Sequence, residues 1–237
     1  MNSDFNPQNS PFSSTTQMPM VAQASVETRL NFIRKTYVLF LMGILTAVAA
    51  GAVCLQVPSV YNAVIGLLRS SPFILLLLII GASFGAQAVS RVEGLNYVAL
   101  FGFTGLMGLV FAPIVALYAP AVVGQAAFLT VVIFGSLTAY AFISRKDFSY
   151  LGGMLFIGLI SLILGGLANA FFFKSGAASY MMAWITVLIF SGFVLYDTSQ
   201  IINRYDERGY CSAALALFLD FLNIFMALLR ILSGSRR

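Results

Sequence analysis

The chain has 237 residues, 60% hydrophobic and only 9% charged, with a mean hydropathy of +0.94. An ordinary soluble domain carries roughly 25% charged residues, so the composition is that of an integral membrane protein. The net charge of +5 sits mostly between apolar runs and near the ends, which is topogenic charge rather than a nucleic-acid-binding face, and the lack of any His excludes Ser-His-Asp, Cys-His and His-zinc chemistry.

Met1 to about Ser25 is rich in Ser, Asn, Gln, Thr and Pro and has no apolar run. It is expected to be a flexible polar tail (1–25) ahead of one transmembrane domain (26–237), because it cannot bury enough surface to order itself. It has neither the basic start nor the apolar centre of a cleavable signal peptide. A short basic lead, Arg29 to Lys35, enters an apolar run at Tyr37–Gln56. Further runs follow at Pro72–Val89, Asn96–Tyr118, Ala121–Ser144, Tyr150–Phe173, Tyr180–Ile202 and Ala213–Ser233, each near the ~20 residues a membrane helix needs. The expectation is an all-α membrane protein of seven spans, with Val60–Leu68 a short interfacial helix.

Charge orients the spans. With the tail inside, the inner segments hold Arg29, Arg34, Lys35, Arg91, Arg145, Lys146, Arg204 and Arg208, and the outer loops only Arg69 and Lys174. The N-terminus is therefore expected in the cytoplasm. A seventh span leaves Arg236 and Arg237 outside, against the same rule, and a re-entrant last segment would return them. Glycines such as Gly102, Gly105 and Gly108, with Gly152-Gly153 and Gly165-Gly166, read as helix-contact positions. Pro113 is expected to kink its span. Cys54 and Cys211 are isolated and read as small buried side chains.

Two acids stand out. Asp197 and Asp220 each interrupt an apolar run, where an ionised carboxylate is costly without a partner or water. Counted from the polar loop Asn203–Ser212, both lie roughly 10 Å from the same membrane face at 1.5 Å per residue. A hairpin therefore places them at matching depth. Ala213, Ala216, Asp220, Asn223, Ala227 and Arg230 recur at steps of three and four, a small-polar stripe expected to face protein. Two carboxylates in a low dielectric cannot both ionise cheaply, so they share a proton. Protonated, the pair holds as a hydrogen bond. Ionised, it repels, attracts a base such as Arg91, or binds a hard cation such as calcium through oxygen.

The residues that carry these acids resemble a known family. Phe193-Val194-Leu195-Tyr196-Asp197-Thr198-Ser199-Gln200 and Leu217-Phe218-Leu219-Asp220-Phe221-Leu222-Asn223-Ile224-Phe225, followed by Leu228-Leu229-Arg230, are similar to the last two spans of the Bax inhibitor-1 family, bacterial branch. The loop Arg145-Lys146-Asp147-Phe148-Ser149-Tyr150-Leu151-Gly152-Gly153, the stretch Phe103 to Pro113, and Thr138 to Phe142 resemble it too. The resemblance implies a seven-helix bundle with the last helix central, in the bacterial inner membrane. It also implies a pH-sensitive calcium leak gated by Asp197 and Asp220, with an arginine near Arg91 pairing with the first acid in the closed state. Two departures are visible: the family's common Asp-Thr-Gln reads Asp197-Thr198-Ser199-Gln200, and the residue before Pro113 is Ala112.

Three alternatives compete with the leak. One bacterial member resembling this chain in the Arg-Lys-Asp loop modulates a membrane-bound AAA protease through its tail, which makes such a protease a candidate partner here. An intramembrane aspartyl protease is disfavoured because Leu217-Phe218-Leu219 precedes Asp220 where that class needs Gly-x-Gly. A coupled transporter would show inverted repeats with broken helices, and none is apparent. No enzyme activity and no resident cofactor are expected.

Overall fold

The computed structural model describes residues 25–70, 72–90, 92, 94–205 and 208–234, less the side chains of 70, 72–76 and 78. Their regular structure is helical throughout: α1 (Val26–Gln56), α2 (Pro58–Ser70), α3 (Pro72–Val89), α4 (Asn96–Val115), α5 (Pro120–Ser144), α6 (Gly152–Ala168), α7 (Gly176–Asn203) and α8 (Tyr210–Gly234). A 3-10 turn (Ser149–Leu151) leads into α6 and a π turn (Asn169–Phe173) follows it. Six units are long and apolar enough to cross a membrane: α1, α4, α5, the Ser149–Phe173 unit built on α6, α7 and α8. The remaining expected span is α3, whose fully described part, Ile79–Val89, is a shorter apolar helix. The expected interfacial helix is α2, at 13 residues too short to span.

The polar tail lies outside the described residues except Ser25, whose hydroxyl caps α1 by accepting the Thr28 N–H at 3.2 Å. The basic lead and the first apolar run, read as separate pieces, form one helix of 31 residues. At 1.5 Å per residue it is about 46 Å long, so its basic turns extend beyond a hydrocarbon core of about 30 Å. α8 runs unbroken from Tyr210 to Gly234, without the interruption a re-entrant segment needs.

α8 is the axis of the bundle, packed against α1, α4, α5 and α7. Leu215, Leu217, Phe218, Ile224 and Leu229 are all buried to within 2% of full enclosure. The small-polar stripe does face protein at Ala213, Asp220 and Ala227, but the Leu and Phe positions beside it are buried as well. A central helix has no lipid face over much of its length, so a one-sided stripe describes only part of its surroundings.

Glycine marks close helix contact at some expected positions and not others. A Cβ on Gly108 would strike the backbone of Ala47, which fixes the close crossing of α1 and α4, whereas Gly102, Gly153 and Gly166 border open space. Pro113 is buried inside α4, two residues before its end. Its ring removes the hydrogen bond to Leu109, and the chain leaves the helix soon after. Cys54 and Cys211 are buried free thiols.

Candidate functional site

α7 and α8 form an antiparallel pair joined by residues 204–209. Asp197 lies two residues before the buried Ser199 near the end of α7, and Asp220 projects from the middle of α8 with 3% exposure. The two carboxyl groups face each other closely enough to interact directly. One Asp220 oxygen, Oδ2, is sealed from solvent with no hydrogen-bond partner among the described residues. Asp197 keeps a partly exposed edge. The hairpin thus does what matched depth required of it.

An aromatic cluster from α1, α5 and α8 packs beside Asp220 in the chain. Phe40 stacks on Phe134 at 5.0 Å, and the Phe221 ring, next to Asp220 in the chain, meets them edge-on at 5.8 and 5.7 Å. With Asp220 only 3% exposed, a lone ionised carboxylate there is costly. The polar neighbours come from α1 and α7: the Tyr37 hydroxyl lies 3.4 Å from Thr198 Oγ1 and close enough to Asp197 to feel its charge. The arrangement can hold a proton between two oxygens. A hard cation would find two carboxylates here and would complete its six to eight oxygens from hydroxyls, carbonyls or water, since among the described residues no third His, Cys, Asp or Glu joins the pair.

Comparison with known proteins places this geometry in a family. The family model described as inhibitor of apoptosis-promoting Bax1 matches residues 29–237. Lifeguard 4 of Mus musculus is 33% identical, the match covering 92% of this chain and 90% of the relative. Bax inhibitor 1 of Schizosaccharomyces pombe is 33% identical over 96% of this chain and 84% of its own. An uncharacterized protein of Campylobacter jejuni is 36% identical over 85% and 87% respectively. The chain belongs to the Bax inhibitor-1 family. The match runs from the basic lead of α1 to the last residue, so it takes in both Asp segments.

The other sequence-predicted positions in this family member fare differently. Asn223 stands one turn beyond Asp220, but its amide donates to the Leu219 carbonyl of its own helix at 2.8 Å rather than to either acid. Arg91 lies outside the described residues, so its pairing with Asp197 remains a sequence expectation. The Arg-Lys-Asp loop, read only as part of the family pattern, is tied to α7 beside the first acid. The Phe148 N–H donates to Ser199 Oγ at 3.0 Å, and Arg204 donates to Asp147 at 3.2 Å and to Ser149 Oγ at 2.8 Å. Gly152 lies against the Tyr196 ring, where a Cβ would come within 2.8 Å. The extra serine of Asp197-Thr198-Ser199-Gln200 is therefore the acceptor that pins the loop.

Sequence reasoning also missed a second tie at the same end of the bundle. The Lys35 ammonium lies 3.5 Å from the centre of the Tyr210 ring, and Asn96 donates to the Tyr210 hydroxyl at 3.2 Å. Ser212 hydrogen-bonds Gln87 of α3. These bonds join the starts of α1, α4 and α8. Tyr and Lys at the ends of spans are ordinary interface residues, so their spacing carries no signal of this role.

Proposed function

We propose that this protein is a pH-sensitive cation leak, with calcium as the conducted ion and the Asp197/Asp220 pair as its proton-operated gate. The observation that supports the reading is the meeting of two carboxyl groups inside the bundle, one oxygen of which is sealed without a partner among the described residues. Sharing a proton, the pair bonds α7 to the central helix. Losing it, the two charges repel in a low dielectric and draw a cation toward oxygen ligands. Passive flux needs no energy-coupling domain.

The same reading takes α3 as a seventh span and sets the chain in a bacterial inner membrane with its N-terminus in the cytoplasm. Support comes from charge in the connections: Arg34, Lys35, Arg145, Lys146, Arg204 and Arg208 fall in segments at the tied end, against Arg69 and Lys174 at the other, while Arg236 and Arg237, which follow α8, go against the bias. The test is calcium flux into liposomes holding the purified protein, over a pH series, for the native chain and for Asp197→Asn with Asp220→Asn. The expected result is a pH-dependent flux that the double substitution renders pH-insensitive. Flux no greater than in empty liposomes at every pH overturns the leak. Deletion of the residues before Val26 would then be assayed against a membrane-bound AAA protease.

A further inference from the structure

At the end of the bundle away from the tied loops, the end of α4, the start of α7 and the end of α8 surround an open cleft of about 650 Å³. Arg230, Ser233, Ser179, Tyr118 and Tyr180 line it. The Arg230 guanidinium has no ion pair or hydrogen bond among the described residues. Among the described residues no carboxylate pairs with it. Residues 57, 71, 116–119, 169–175 and 235–237, which connect or follow helices at this end, include no Asp or Glu, while Arg69 and Lys174 add positive charge there.

We infer that this cleft binds a phosphate group, carried by a lipid headgroup or free in solution. A planar guanidinium suits the paired oxygens of a phosphate. Ser179 supplies a hydroxyl donor: its Oγ already accepts from Asn169 at 2.7 Å, which leaves its own hydrogen to donate, whereas the Ser233 hydroxyl donates to the Arg230 carbonyl at 2.9 Å. Gly176 and Ala177 also line the cleft and stand in the first turn of α7, where backbone N–H groups have no acceptor within the helix. The volume is large enough to admit a phosphate group. The cleft opens where apolar spans end and headgroups begin, between tyrosine rings of the kind that settle at that boundary. Arg230 is thus an exposed cation with no carboxylate partner among the described residues. None of this depends on whether the chain conducts ions.

The test is thermal unfolding of the detergent-purified full chain with dihexanoylphosphatidylglycerol, dihexanoylglycerol or inorganic phosphate. The phosphatidylglycerol should raise Tm saturably, by about 5–10 °C at 100 times its Kd, and the phosphate-free dihexanoylglycerol should not. Arg230→Gln should abolish the rise, and Arg69→Gln, at the same end but outside the cleft, should keep it. Ala177→Asp places a carboxylate inside the cleft at a helix start, where it is tolerated. It should raise basal Tm and remove the response, which keeps the test decisive where Arg230→Gln does not fold. An equal response to inorganic phosphate supports the site and assigns it to the free anion, whereas a response to the lipid alone assigns it to a headgroup. No rise with either phosphate probe, an equal rise with dihexanoylglycerol, or an equal loss with Arg69→Gln overturns the proposal.

Discussion

α6 and α8 are about equally apolar, yet half of the most apolar window of α8 is buried within the protein and only 6% of that in the α6 unit. In water such a pair could not exist, because an apolar helix exposed on nearly every side would collapse onto the core. In lipid, apolarity no longer separates inside from outside. What separates them is position in the bundle: α8 buries small, polar and large side chains alike, Ala213, Asp220 and Phe218 among them, whereas α6 shows Met154, Phe156, Ile157 and Leu164 outward. One substitution made in both helices sharpens the contrast. Leu229→Ala, at a fully enclosed position, should cost about 2–5 kcal/mol through the cavity it leaves. Leu164→Ala, 60% exposed, should fall within about 0.5 kcal/mol of the native chain. Denaturant unfolding in mixed micelles reads both. Equal losses would mean that α8 is not the axis of the bundle.

A serine makes the next comparison. Ser199 of α7 accepts the Phe148 N–H from a different segment, whereas Ser161 of α6 donates only to Ile157 of its own helix, at 2.8 Å. Ser199→Ala leaves a buried N–H without an acceptor and should cost about 1–3 kcal/mol. Ser161→Ala exposes nothing and should be close to neutral. If the loop is also the support that holds Asp197 in register with Asp220, Ser199→Ala should alter the pH response of flux while Ser161→Ala leaves it unchanged.

These contrasts show what sequence can carry in a membrane protein. Several helix limits were legible because helix length in lipid is set by bilayer thickness: Asn96 opens its helix where an apolar run begins, and Val89 and Ser144 close theirs where the runs end. The acid pair was legible because a carboxylate in an apolar run is anomalous wherever it falls, and hairpin geometry fixes its depth. The rotation of each helix about its own axis was not. Nothing in the spacing of Tyr37 says that it turns toward Thr198, nor in that of Lys35 that it rests on Tyr210. That choice is made by packing, at Gly108 against Ala47 and at Gly152 against Tyr196. Asn223 shows the converse: it stands one turn from Asp220, but the Leu219 carbonyl of its own helix is the acceptor its amide takes.

The smallest expected effect lies at the edge of the tied loop, and its sign with pH is fixed by geometry. Asp147 accepts the Ser149 N–H at 2.9 Å and, more weakly in effect, faces Ser149 Oγ and Arg204; together these hold its carboxyl below the usual carboxylate range. A group whose folded value is depressed contributes stability above its unfolded value, about 3.9, and loses it as pH falls through the lower folded value. The pair with Arg204 is about half exposed on both sides, so water and salt screen it. Asp147→Asn should therefore lower Tm by no more than about 2 °C at neutral pH, and the gap from the native chain should close as pH drops below the ordinary Asp range. Arg204→Ala should give a smaller loss than Asp147→Asn, because the Ser149 N–H is the larger cause of the depression and survives it. A gap that widened on acidification would mean that Asp147 is destabilising when charged, contrary to the hydrogen bonds that surround it.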